Sequence, residues 1–438
     1  MVKRAIILVS INIAVFCACA EILALGVFYY QHGWLFYSDP YRPTYEVIPE
    51  GQAQPLTDIG LHPYFGPIHR PGIPLDIPPE LRETPASPAR VETNNLGFAS
   101  PHDYPFVKTR DSQFIIGIFG GSVGVWFCQA GVARLTADLK QQPFFKDKEL
   151  VPLCFSHEGY KQPQQLLVLA YVLSIGQPLD LVVNIDGFNE VTLSRLNADH
   201  GWDISMPSVM HLDGLINLVN QSTLTPEKLD SLVALRRDKQ RLNALAGRLN
   251  RNRFASVDFV LGRYYAFVER RYREEAVRFD RLPSNPPQQS VIHVTPPLTE
   301  RRGTRLYEDI AREWMTSSAL MQQMLAARGA RYVHVLQPNQ YYTTRAFSDA
   351  EAKVAFNAGS PFKEGAAAGY PFLEKALESS RGAVNVFNAV HIFDDERTPV
   401  YIDDCCHYTL AGYHRLADFI AKSIGEVRLK ADATDDHR

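Results

Sequence analysis

From Gln113 onward the chain repeats one pattern, a short apolar run followed by a longer amphipathic stretch, and few folds accommodate it. Runs at 114–119, 150–155, 179–185 and 331–336 read as buried strands, with a weaker candidate at 383–387. The stretches at 125–140, 163–175, 305–327 and 410–424 read as helices, and Pro163 suits a first helical turn, where a missing N–H costs nothing. Strands alternating with helices in this way make a parallel α/β sheet. With 438 residues, 46% hydrophobic and 21% charged, the chain can bury a large core and fits no disordered or fibrous class. Its formal net charge of -3 gives no global argument for a nucleic-acid partner.

Between the third and fourth strands lie about 140 residues, far more than a βα crossover needs. A mainly helical insertion is therefore expected at 195–330, dividing the α/β domain into 113–194 and 331–426. Its middle, from Arg236 to Arg281, is basic. Leu242, Leu245 and Leu249, then Val260, Tyr264 and Phe267, recur at helical spacing, so two amphipathic helices are expected, followed by a loop around 283–287. The basic faces suit anionic lipid headgroups or an acidic polysaccharide; equally, they suit a solvated face with internal pairs such as Arg270 with Glu274.

The chain begins with an apolar run from Ala5 to Tyr30, interrupted by Ser10, Asn12 and Glu21. About 25 helical residues reach roughly 38 Å, enough to span a bilayer. Lys3 and Arg4 precede the run and no Lys or Arg follows before Arg42, which puts the N-terminus in the cytoplasm and the remainder outside it. In a Gram-negative cell that is the periplasm. Ala18-Cys19-Ala20 has the form of a signal-peptidase site, the competing reading, but apolar character continues past it through Phe28 and favours an anchor at 1–30. Frequent prolines at 31–112 read as an extended stem carrying little chemistry, with a turn at Thr93-Asn94-Asn95-Leu96-Gly97-Phe98; a polar tail is expected at 427–438.

Cys17 and Cys19 fall in the apolar run, leaving Cys128, Cys154, Cys405 and Cys406. One of the vicinal pair could bridge to Cys128 or Cys154, or all four could be small buried residues near a packed site. No metal-ligand spacing appears, and neither a metal nor an organic cofactor is implied.

Three motifs and a fourth, shorter element carry chemistry. Gly120-Gly121-Ser122 ends the first strand, where a turn into a helix presents a hydroxyl at the carboxyl edge of the sheet beside unpaired backbone N–H groups. Gly187-Phe188-Asn189-Glu190 closes the third strand and brings an amide donor to the same edge; Glu158-Gly159-Tyr160 follows the second. Asp403-Asp404-Cys405-Cys406-His407 precedes the last helix, and an Asp three residues before a His can fix its tautomer and leave Nε2 to take a proton from serine. Gln337-Pro338-Asn339-Gln340 could line a pocket with amides or be turn chemistry, and Trp126, His157 and Gln164 are pocket candidates by proximity.

In this order, Ser, Gly, Asn, His, the chain resembles the SGNH/GDSL hydrolase family from about Gln113 to Gly425, outside the insertion. The resemblance implies a flavodoxin-like three-layer α/β/α sheet. It implies Ser122 as nucleophile, His407 as general base and Asp404 as orienting carboxylate, with Asp403 the fallback. Ser122 N–H, Gly159 N–H and the Asn189 amide become the oxyanion hole. Two departures mark a divergent branch, Gly-Gly-Ser for the usual Gly-Asp-Ser and Gly-Phe-Asn-Glu for Gly-x-Asn-Asp. The expected activity is ester hydrolysis or O-acyl transfer through an acyl-enzyme, on an O-acylated polysaccharide or lipid. The alternative is an idle glycan-binding module of the same fold.

Overall fold

The computed structural model describes residues 2–32, 35–37, 45, 58–84, 87–219, 225–283, 292–299 and 301–435. Contacts divide the chain into two units, one comprising Met1–Pro55 with Asn217–Ile292, the other Leu56–Ile216 with His293–Arg438.

The larger unit begins with two hairpins, β1 (Ile59–His62) with β2 (Gly66–His69) and β3 (Pro74–Asp76) with β4 (Arg90–Glu92). Of the segment expected to be an extended stem, 31–112, the described residues from Asp58 onward thus pack as part of this unit. Asn94 forms the expected turn, its side-chain oxygen accepting from the N–H groups of Leu96 and Phe98 at 3.0 Å each. The central sheet contains β5 (Gln113–Gly120), β6 (Glu149–Cys154), β7 (Leu181–Asp186), β8 (Arg331–Leu336) and β9 (Val386–Asn388), all parallel, in the order β6-β5-β7-β8-β9. Counting these five in sequence gives 2-1-3-4-5, the order of doubly wound flavodoxin-like sheets.

Apolar runs without alternation follow from burial on both faces. Ile116 and Ile118 of β5, Val183 of β7 and Val333 of β8 join one core; Ile115, Phe119, Val182 and Tyr332 join the other. The first core is closed by α2 (Ser122–Ala130), α3 (Val132–Lys140) and α10 (Leu410–Asp435), the second by α4 (Gln164–Ser174). Filling each isoleucine or valine site contributes about 1.5–3 kcal/mol.

Several boundaries differ from expectation. The helix expected at 125–140 breaks at Gly131, against which the Phe127 ring packs. Pro163 caps α4 rather than entering it. The last helix runs on to Asp435, through most of the expected polar tail. Helix α9 (Thr304–Ala326) and most of α6 (Val209–Val219), within the span 195–330, belong to the larger unit together with α5 (Phe188–Asp199).

Cys128 of α2 and Cys154 at the end of β6 form a disulfide across 26 residues, and neither of the vicinal cysteines joins them. Closing a loop of that length is worth about 3–4 kcal/mol. Cys128→Ser with Cys154→Ser should lower stability by that amount in urea unfolding, with a steeper transition because the unfolded chain expands once the loop is open.

The smaller unit contains α1 (Val2–His32), α7 (Pro226–Leu249) and α8 (Ala255–Arg281). Within α1, Leu8–Gln31 is long and apolar enough to cross a membrane, with mean hydropathy 2.2, a length and composition that a signal sequence shares. Glu21, which interrupts the apolar run, accepts from the backbone N–H groups of Ala255 at 2.6 Å and Ser256 at 3.0 Å. A carboxylate at the positive end of α8 is the charge arrangement a helix dipole favours. Leu242, Leu245 and Leu249 of α7 are buried as expected, but they pack on Leu261, Tyr265, Val268 and Tyr272. Val260, Tyr264 and Phe267, expected to be the buried face of α8, are 63%, 45% and 55% exposed. The helix is apolar on two sides, and spacing alone did not say which one packs. Ion pairs here include Arg273 with Glu269 at 2.6 Å and Arg271 with Asp238. Of the loop expected at 283–287, residues 284–287 lie outside the described set.

Candidate active site

Strand β5 delivers Ser122 to the sheet edge, and two glycines make the turn possible. A side chain at Gly120, whose φ is +154°, would meet the Ile185 carbonyl oxygen at 2.3 Å; one at Gly121 would meet Asn189 Nδ2 at 2.2 Å. Ser122 is therefore the first position after the strand that can carry a side chain, and it opens α2 with Gly121 as its cap. The first N–H groups of that helix have no partner within it.

His407 reaches Ser122 from the other end of the sequence. Its Nε2 lies 2.7 Å from Ser122 Oγ, and its Nδ1 hydrogen-bonds Asp403 Oδ2. The carboxylate on the ring is thus that of Asp403, where Asp404 was the first expectation. The reason lies in the loop. Ile402 N–H donates to the His407 carbonyl at 3.1 Å and Tyr401 bridges Tyr408, which folds 402–407 into a closed turn. Asp403 opens that turn, and its Oδ1 accepts from the N–H groups of Cys405, Cys406 and His407 at 3.0, 3.1 and 3.3 Å. The other oxygen is left facing the imidazole. Asp404 instead turns its carbonyl to the Tyr341 hydroxyl at 2.8 Å. Burial works to raise the Asp403 pKa, but the His407 hydrogen bond and charge and the loop N–H groups outweigh it, holding the carboxyl below its ordinary value. Its stabilising contribution is present above the unfolded carboxylate range and is lost as pH falls through that depressed value.

The amides of Asn339 and Gln340 serve this loop. Asn339 Nδ2 donates to the Cys405 carbonyl and Gln340 Nε2 to the Asp403 carbonyl, both at 3.0 Å, and the Tyr408 hydroxyl donates to the Pro338 carbonyl at 2.6 Å. Cys406, buried behind the loop, has its thiol against Ser122; burial and then Cys405 push that thiol well above its ordinary value, so it stays neutral. Nothing in the sequence pattern set Cys406 apart from its neighbour.

Asn189 stands in the first turn of α5, its Nδ2 donating one hydrogen to the Tyr160 carbonyl at 2.8 Å while lying against the Gly121 turn. The second hydrogen of that amide is not used by this bond. Glu190, next along, is not part of the edge. It is buried, accepting from Gly187 N–H at 2.7 Å and Gln162 N–H at 2.9 Å, and so ties the turn after β7 to the loop after β6 that carries Gly159. Burial, then the neighbouring Asp186 carboxylate, raise its pKa. A carboxylate three residues past the helix cap is a capping-box signal that sequence reading could have used.

No protein-family model matches the chain, and no curated protein does. Among solved structures it is similar to the lipase Lip_vut3 from a goat rumen metagenome, with 11% identity and a TM-score of 0.28 over 71% of this chain and 97% of the lipase. At that score the likeness bears on neither fold nor activity here.

Proposed function

We propose that the chain is a divergent SGNH-type serine hydrolase or O-acyltransferase, in which Ser122 is the nucleophile, His407 the general base and Asp403 the orienting carboxylate. The observation that carries this reading is the unbroken relay from Asp403 Oδ2 through both ring nitrogens of His407 to Ser122 Oγ. A serine so placed attacks an ester carbonyl as its proton passes to Nε2, and Asp403 stabilises the imidazolium that forms. The N–H of Ser122, the N–H of Gly159 and the free hydrogen of the Asn189 amide stabilise the tetrahedral oxyanion. His407 then protonates the departing alcohol, leaving Ser122 acylated. Water, or a sugar hydroxyl deprotonated by the same imidazole, completes the cycle.

Lys3 and Arg4 before the apolar α1 support reading it as an anchor with this domain outside the cytoplasm, in the periplasm if the cell is Gram-negative. Envelope glycans or lipids carrying O-acyl groups are the substrates within reach. The full chain in detergent should hydrolyse a short-chain nitrophenyl ester. Absence of turnover, with glycan binding retained in Ser122→Ala, would instead identify a binding module.

Asn189→Ala should lower kcat on that ester by 10²- to 10³-fold, the usual cost of one oxyanion donor; an unchanged rate removes Asn189 from the hole. Gln340→Ala, which releases the Asp403 carbonyl, should lower kcat on the order of 10- to 100-fold with KM nearly constant, as misplacement of a relay does. A change in KM alone would mean that Gln340 touches substrate.

A further inference from the structure

A second cluster sits in the loop between β6 and α4. We propose that His69, His157 and Glu158, with His211 beside them, form a binding site for one divalent transition-metal ion, zinc by the chemistry of its ligands. Three separate segments converge on it: the end of β2, the loop after β6, and the first turn of α6. Ligand atoms of His69, His157 and Glu158 all lie within 4.8 Å of one another.

The spacing fits a single ion. Glu158 Oε2 is 3.1 Å from His69 Nε2 and 3.7 Å from His157 Nε2. Metal–ligand bonds of about 2.1 Å in tetrahedral geometry place neighbouring ligand atoms about 3.4 Å apart, between those two values. Two imidazoles and a carboxylate are a donor set that zinc accepts readily, whereas oxygen-only sites suit calcium or magnesium.

Orientation points the same way. His157 faces the Glu158 carbonyl with Nδ1 at 3.0 Å, and a donor there leaves Nε2 as a bare lone pair. The ring is 3% exposed, and Nε2 has no hydrogen-bond partner among the described residues. A lone pair buried beside a carboxylate oxygen is unfavourable unless a cation lies between them. A metal-bound histidine is commonly held this way, by a carbonyl on its other nitrogen. His211 Nδ1 is likewise buried without a partner. Its ring lies flat on Gly159, where a Cβ would come within 2.4–2.7 Å of ring atoms, and Gly159 has a φ of +73°. A glycine at that position is what lets His211 lie beside the three ligands.

The segment expected to carry little chemistry thus contributes His69. The ion would have a structural role, fixing the loop 157–160 in the way structural metals hold small folds together. Uptake of metal does not depend on Ser122, so this inference stands or falls apart from the catalytic one.

The test uses the untagged full chain in detergent, stripped with a chelator, titrated with Zn²⁺ and assayed by mass spectrometry for metal after gel filtration. One zinc per chain is expected, with the same uptake in Ser122→Ala. His157→Ala and His69→Ala should each weaken binding at least about tenfold. Should either variant not fold, the wild-type chain loaded with Co²⁺ should show the visible bands of tetrahedral nitrogen and oxygen ligation. A stripped wild-type chain that takes up no zinc overturns the proposal, as does full uptake in His69→Ala/His157→Ala or a Co²⁺ spectrum of hexahydrated ion.

Discussion

Asp403→Asn should lower kcat on a nitrophenyl ester by about 10⁴-fold, the size of effect seen when the orienting carboxylate of a serine triad becomes an amide. Asp404→Asn should leave kcat within about twofold. The contrast comes from the closed turn at 402–407, which fixes Asp403 Oδ1 on three backbone N–H groups and turns Oδ2 to His407. An asparagine at 403 keeps one acceptor for those N–H groups, so the loop should stay folded. It offers an N–H, or at best a neutral oxygen, to the ring, and the imidazolium loses its counter-charge. Unchanged circular dichroism with a collapsed rate is the expected pair of results. Equal losses in both variants would mean that the loop rearranges when substrate binds, while a loss in Asp404→Asn alone would restore the first sequence reading.

Ser122→Ala and His407→Ala should each abolish turnover, with losses on the order of 10⁶-fold in kcat, and the double variant should be no worse than either single one. Non-additivity is the signature of groups acting as one unit: a serine without its base, or a base without its serine, is already idle. Residual activity then reflects the oxyanion donors and binding alone. Losses that multiply in the double variant would show that Ser122 and His407 act in separate steps, and the 2.7 Å contact between them would need another explanation.

Most of the sheet was legible because β5 to β8 are short, largely apolar runs set between longer amphipathic stretches, whereas β9, only partly buried, gave the weaker signal. Ser122 and Asn189 were legible for a related reason: each follows directly on a strand end, so the strand fixes its place. His407 follows from its position before the last helix. The choice between Asp403 and Asp404 was not legible, since both lie within reach of the ring by spacing, and closure of the turn through Ile402 and Tyr401 decides between them. The faces of α8 failed for a different reason. Apolar residues at 260, 264 and 267 and at 261, 265 and 268 describe two stripes, and only the partner helix selects one. His69, His157 and His211 are separated by whole elements, so no spacing rule connects them. Only the packing of the β1–β2 hairpin and α6 brings them together.

The central claim, a nucleophilic serine at position 122, is tested most directly by reacting the full chain with a fluorophosphonate and locating the adduct by peptide mass spectrometry. One adduct, on Ser122, is expected, absent from Ser122→Ala and at least 10³-fold slower to form in His407→Ala, since the base is then missing. Labelling that persists in Ser122→Ala, or a wild-type chain that takes no label while folded, would contradict it.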